Sequence, residues 1–198
     1  MDASGLNLEN TLLVATPAMG DPRFRQAVIY VCSHTEDGAM GIVLNRPKRG
    51  RTGMTISLSD LLGSIGVEGE PRVADAPVLA GGPVDMERGF VLHTPDYQSR
   101  EATTALSDTL MMTSTREVLD ALVTDSAPER AVLAVGYAGW GEGQLEDELA
   151  GNAWLVCEAD DATIGDLVFA SDHDSKWADA LAGIGIDPAV LSGATGSA

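Results

Sequence analysis

Three histidines, His34, His93 and His173, are the residues best suited to proton transfer near neutral pH, because imidazole titrates near pH 6.5. No two of them stand at i, i+4. A zinc site wants three or four convergent His, Cys or acidic ligands, so no metal is expected. Asp172-His173-Asp174 sets carboxylates beside an imidazole, but adjacency along the chain does not orient a base against a partner. The triplet reads as the start of a helix, where acids are favoured by the macrodipole. Serine chemistry lacks both a Gly-x-Ser-x-Gly elbow and a Ser-x-x-Lys. The glycine-rich run Gly136-Tyr-Ala-Gly139-Trp-Gly141-Glu-Gly143-Gln144 stands where a phosphate-binding loop would stand, between a strand and a helix. It has neither Gly-x-Gly-x-x-Gly nor Gly-Lys-Ser/Thr spacing, and Glu142, Glu146, Asp147 and Glu148 would repel a bound anion. These glycines therefore read as a tight turn and close packing around Trp140, and no cofactor is expected. Cys32 and Cys157 form no Cys-x-x-Cys and are expected to be reduced, buried thiols.

Charge narrows the partners. The 198 residues carry 30 Asp and Glu against 12 Lys and Arg, a formal net charge of −18. Such a chain repels phosphate backbones and anionic lipid, so direct nucleic-acid binding and a membrane role are disfavoured. The imbalance is uneven: residues 131–198 contain 12 acids and one base, Lys176. Arg46, Lys48, Arg49 and Arg51 gather four of the 12 positive charges into six positions, a possible contact for an anionic partner. The N-terminus lacks the positive charge of a signal peptide, and no apolar run approaches the ~20 residues that span a bilayer. A soluble, cytoplasmic protein is expected.

The elements that must position these residues follow from periodicity. Residues 11–15 and 26–32 read as strands rich in β-branched residues and 39–45 as a third strand, tied to the second by a hairpin containing Asp37-Gly38. Leu58, Leu61, Leu62 and Ile65 form the stripe of a short helix. Residues 89–93 and 109–112 read as strands, and Ser114-Thr-Arg-Glu117 as a capping box opening a helix that stops near Pro128. Residues 130–137 form the most convincing central strand, followed by a short acidic helix over 144–149 and a strand over 153–157. Asp172 is placed to cap a last helix carrying Trp177 and Leu181. Strands in runs with irregular helices point to an α+β class in one domain, residues 1–190, with 191–198 as a flexible tail.

Four phrases together resemble one family: TLLVATPAMGDPRF, VIYVCSHTEDGAMGIVLNRP, VLAGGPV with GFVLH, and AVGYAGWGEGQLEDELAGNAWL. Their wording and order resemble the AlgH/YqgE family of largely uncharacterised bacterial proteins, some labelled as transcriptional regulators. The resemblance implies a bent, bifurcated, mainly antiparallel sheet rolled into a pseudo-barrel with peripheral helices, and it implies no reaction. Its signature glycines, prolines and tryptophans read as architecture. The polar members His34, Asn45, Arg46, His93, Gln144 and Glu148 need no polarity for packing and are the candidates for a shared ligand- or partner-binding site. The leading expectation is a non-enzymatic binding or regulatory protein that acts through a protein partner or a small ligand. The alternative is an enzyme using His34 or His93 with Glu148 in a cleft.

Overall fold

The computed structural model describes residues 7–99 and 102–192. Its nine strands form one curled sheet: β1 (Leu12–Ala15), β2 (Val28–Thr35), β3 (Gly38–Val43), β4 (Leu79–Ala80), β5 (Val84–His93), β6 (Thr103–Ala105), β7 (Met111–Thr113), β8 (Ala131–Gly141) and β9 (Trp154–Cys157). The spatial order is β6-β7-β5-β8-β3-β2-β1-β9, with β4 beside β8 and parallel to it, while the other pairings are antiparallel. Six helices surround this half-barrel: α1 (Leu58–Ser64), α2 (Arg116–Ala121), α3 (Gln144–Ala150), α4 (Asp161–Phe169), α5 (Lys176–Gly183) and α6 (Pro188–Ser192). The α+β class and the bent, bifurcated sheet implied by the resemblance are both present.

The bifurcation has a local cause. Strand β8 pairs with β5 through Ala131–Val135 and again at Tyr137, with β4 through Ala134 and Val135, and with β3 through Ala138–Gly141. Between these halves Gly136 takes a φ of +76°, a conformation glycine adopts without steric cost. A Cβ there would lie 2.5 Å from the carbonyl oxygen of Gly82, and one on Gly82 (φ +155°) would lie 2.0 Å from the Tyr137 backbone. The Gly-Gly-Pro and Gly-Tyr motifs are therefore required where two backbones cross. The glycine-rich run expected as a turn is instead strand as far as Gly141, because β3 offers it a ladder.

Side-chain alternation sorts the core into layers. Leu12, Tyr30, Ile42, Phe90, Leu92 and Val132 face the inner side of the curl and meet α4 and α5 through Ile164, Val168, Trp177 and Leu181. On the outer side, α3 covers β1–β3 by setting Leu145 against Leu13, Ile29, Trp140 and Trp154. Helices α1 and α2 cover β5 and β8 through Leu58, Leu62 and Val118. Both cysteines are buried and unpaired on the inner side, and burial pushes the Cys32 thiol up to about 12.

Several local expectations need correction. Ser114 does not open α2 with a capping box: the N-cap is Thr115, with no side-chain cap bond, and the Ser114 hydroxyl accepts from Arg88 at 3.2 Å. A capping box forms instead at Ser57 and Asp60 before α1. Asp172 accepts from the N–H groups of Asp174 and Ser175 in the turn before α5, whose N-cap is Ser175. That helix is followed by α6, which claims Leu191 and Ser192 from the expected tail. The remaining tail, 193–198, lies outside the described residues.

Candidate functional site

Two adjoining clefts carry three of the six candidate residues. The 3₁₀ turn Pro22–Phe24 forms because the Asp21 side chain accepts from the Arg23 N–H at 2.9 Å and Pro22 pre-sets φ at the first position. The turn sets Arg23 and Phe24 between the clefts, and Pro83 completes the shared wall. One cleft, about 460 Å³, adds Arg46 and Arg49. The other, about 230 Å³, adds Gln144 and Glu148.

Arginine dominates the first cleft. Arg23 is paired with Asp21 at 2.6 Å, and its guanidinium holds the Asp21 carboxyl below the usual carboxylate range. Arg46 donates to the Arg25 carbonyl oxygen, and its buried Nε has no acceptor. Arg49 donates to the Gly53 carbonyl at 3.1 Å. Among the described residues neither Arg46 nor Arg49 has a carboxylate within ion-pair distance. Two uncompensated guanidinium groups thus share a cleft in a strongly acidic chain. Asn45, beside Arg46, is spent on the backbone: it accepts from Val28 N–H at 3.0 Å and donates to the Gln26 carbonyl at 2.8 Å. It stands in for ladder partners where β2 begins, next to the left-handed Gln26 (φ +55°).

In the second cleft Glu148 acts as a fastener. Its Oε2 accepts from the indole N–H groups of Trp140 at 2.9 Å and Trp154 at 2.7 Å, and its Oε1 accepts from Gln144 at 2.9 Å. Gln144 in turn accepts from the Gly141 N–H at 3.1 Å. Spacing of i, i+4 puts both side chains on one face of α3, and the pair pins that helix to the ends of β8 and β9. The rings of Trp140 and Trp154 meet edge to face at 6.1 Å, and Phe24 meets Trp154 at 5.8 Å.

The two candidate histidines lie elsewhere. His34 sits under α3: its Nδ1 accepts from Leu8 N–H at 3.3 Å, so Nε2 carries the proton and donates to Glu146 at 2.9 Å. Its carboxylate partner is Glu146, not Glu148. His93 is fully buried at the far end of β5. Its Nδ1–H donates to the Thr94 carbonyl at 2.8 Å, which leaves Nε2 to accept from Thr113 at 2.9 Å. Thr113 accepts from Thr103 at 2.7 Å, and Thr103 accepts from the Ser99 N–H at 3.1 Å. This one-way chain ties β5, β7 and β6 together, and burial holds His93 below the usual imidazole range. Thr113→Val would strand the buried His93 acceptor and the half-buried Thr103 donor, so a loss of about 1–3 kcal/mol is expected in urea unfolding. A change below about 0.5 kcal/mol, the range of an ordinary surface substitution, would show that the chain contributes nothing.

The candidate set therefore divides. Arg46, Gln144 and Glu148 converge on adjoining clefts, Asn45 braces them from beside, and His34 and His93 stay apart. Each polar residue also has a hydrogen-bonding use within the fold, contrary to the premise that packing does not need its polarity. Arg23 escaped the sequence reading; its signal was the Asp-Pro-Arg spacing, which builds a turn and aims the third residue outward. No group of three or more His, Cys, Asp or Glu side chains is arranged to hold a metal ion among the described residues. Nor is any helix there long and apolar enough to cross a membrane.

Comparison with known proteins agrees with this architecture. A family model described as DUF179, AlgH-like, matches residues 12–189. A UPF0301 protein of Caulobacter vibrioides is 46% identical over 198 residues, spanning 100% of this chain and 97% of its own length. The solution structure of the AlgH protein from Pseudomonas aeruginosa is similar at a TM-score of 0.73 and 36% identity, covering 100% of both chains. A crystal structure from Corynebacterium diphtheriae shares the fold at a TM-score of 0.65 and 22% identity, over 89% of this chain and 86% of its own.

Proposed function

Because the chain belongs to the AlgH-like family of uncharacterised bacterial proteins, we propose a function from its own clefts: a cytoplasmic, non-enzymatic binding or regulatory protein that takes an acidic group of a protein partner between Arg46 and Arg49. One observation carries this reading, namely two guanidinium groups without carboxylate partners in a single cleft of a chain with net charge −18. A planar guanidinium suits bidentate pairing with a carboxylate. The apolar wall of Phe24, Val43 and Pro83 would strengthen that pairing by excluding water. Regulation through this cleft proceeds by protein contact, since the overall charge opposes a DNA duplex.

The test is affinity capture with Arg49→Glu beside the wild type, because Arg49 is exposed and the variant leaves the Arg46 tie to Arg25 in place. A specific partner is expected to be retained by the wild type, lost on raising salt, and bound about tenfold more weakly by the variant. Equal recovery with both proteins, or no specific partner at low salt, would overturn the reading.

A further inference from the structure

The curled sheet leaves part of its inner face bare. Helices α4 and α5 cover β1, β2 and β9 and the Leu92 and Val132 portion of β5 and β8, but beyond them a groove of about 560 Å³ runs across β3, β8, β5 and β7. Its size suits a small ligand. The floor is aromatic and thioether: Phe90 and Tyr137 meet edge to face at 5.9 Å, and Met40 and Met112 line the same groove. Gly139 keeps it open, since a Cβ there would stand 3.2 Å from the Tyr137 ring.

Charge is placed at its two sides. Arg88, on β5, lies over the Phe90 ring at 5.2 Å and makes one side-chain hydrogen bond, to Ser114. It has no carboxylate within ion-pair distance among the described residues. Asp37, in the β2–β3 turn, lines the opposite side, across β8 and β3. A guanidinium stacked on a ring retains donors for a carboxylate or sulfonate. Polarizable sulfur beside two rings favours a flat aromatic body. The Asp37 carboxylate repels a second negative charge at the far end.

We propose that this groove binds a small aromatic anion, its ring on Tyr137 and the two methionines, above the buried Phe90, and its anionic group on Arg88. The site is separate from the arginine cleft and does not depend on it. The probe is 8-anilinonaphthalene-1-sulfonate, titrated into the full chain while the ¹³C-methyl signals of methionine are followed by NMR. Saturable binding is expected to shift Met40 and Met112 and leave the exposed Met54 unmoved. Arg88→Ala is expected to weaken binding about fivefold to tenfold, and Gly139→Val to abolish it by filling the groove. Arg49→Glu is expected to leave it unchanged, which separates this site from the arginine cleft. No saturable binding, shifts confined to Met19, which lines the Gln144–Glu148 cleft, or an affinity indifferent to Arg88→Ala would each overturn the proposal. If Gly139→Val fails to fold, Arg88→Ala and the methyl shifts still decide.

Discussion

A Glu148→Ala protein is expected to unfold about 3 kcal/mol more easily than the wild type in urea, with tryptophan emission shifted to longer wavelength before the main transition. The size follows from what the carboxylate does. It accepts three hydrogen bonds, two from indole N–H groups of Trp140 and Trp154, whose residues are only 7% and 2% exposed. A hydrogen bond to a charged group contributes about 1.5–3 kcal/mol, and a buried donor left unpaired costs about 1–3 kcal/mol. These terms do not add, because the three donors share one acceptor group. Helix α3 has seven residues, too few to persist in water on propensity. It depends on burial of Leu145 and on this fastening, so its fraying should expose the indoles early. Glu148→Gln retains one acceptor oxygen and should fall between the two proteins. A loss under about 1 kcal/mol for Glu148→Ala would mean that water replaces the carboxylate at both indoles.

The second large effect is a slope with pH. Lys176 is fully buried in the first turn of α5. Its Nζ donates to the carbonyl oxygens of Leu44 at 3.2 Å and Val168 at 3.0 Å. Burial pulls its pKa down from 10.5 to about 8. The charges beside it are Asp172 and Asp174 in the preceding turn, and His173, which also meets the Leu44 carbonyl, at 3.3 Å. Burial first, then the Lys176 charge, holds that imidazole low. Between pH 8 and 10.5 the folded chain has released the lysine proton while the unfolded chain still holds it. Unfolded chains then bind more protons, so this residue's contribution to stability rises with pH, by about 3 kcal/mol across the window. The Cys32 thiol, pushed up to about 12, acts in the opposite sense but equally in a Lys176→Met variant. The stability difference between wild type and Lys176→Met, measured by urea unfolding from pH 7 to 10, isolates the lysine. It should move in favour of the wild type as pH rises. A flat difference would mean that the ammonium stays charged in the fold.

Much of the sheet was legible before any coordinates. Strands β2, β8 and β9 carry β-branched and aromatic residues and β1 and β3 are apolar apart from the β3 glycines, and these preferences survive because most of their residues are buried. Helix α4 was not legible. Gly165 interrupts it, its residues Asp161, Thr163 and Asp166 are poor helix formers, and its apolar residues Ile164, Leu167, Val168 and Phe169 crowd into its second half. Burial against the inner side of the sheet, together with the Asp160 cap on Thr163 at 2.8 Å, settles its conformation. Strand β6, three polar or small residues, exists because β7 offers it a ladder and Thr103 a bond to Thr113. The displaced start of α2 has the same kind of cause, since Arg88, 26 residues away, takes the hydroxyl that the capping box needed.

The candidate site divides along the same line. Residue type alone picked out the basic run from Arg46 to Arg51, and the family resemblance picked out Gln144 and Glu148 on the acidic helix. It also determined the charge that disfavours nucleic acid, because charge is a sum over residues and needs no geometry. Which of these groups meet was decided only by the tertiary structure. Arg46 shares a cleft with Arg23, which lies across a turn and two strands from it, while Glu148 is turned onto two tryptophans from different strands. His34 and His93 look equivalent as letters, yet one sits beneath a helix and the other inside a threonine chain. A side chain's chemistry belongs to its residue type, whereas its partners are set by pairings such as β1 with both β2 and β9, and those are resolved only when the chain closes on itself.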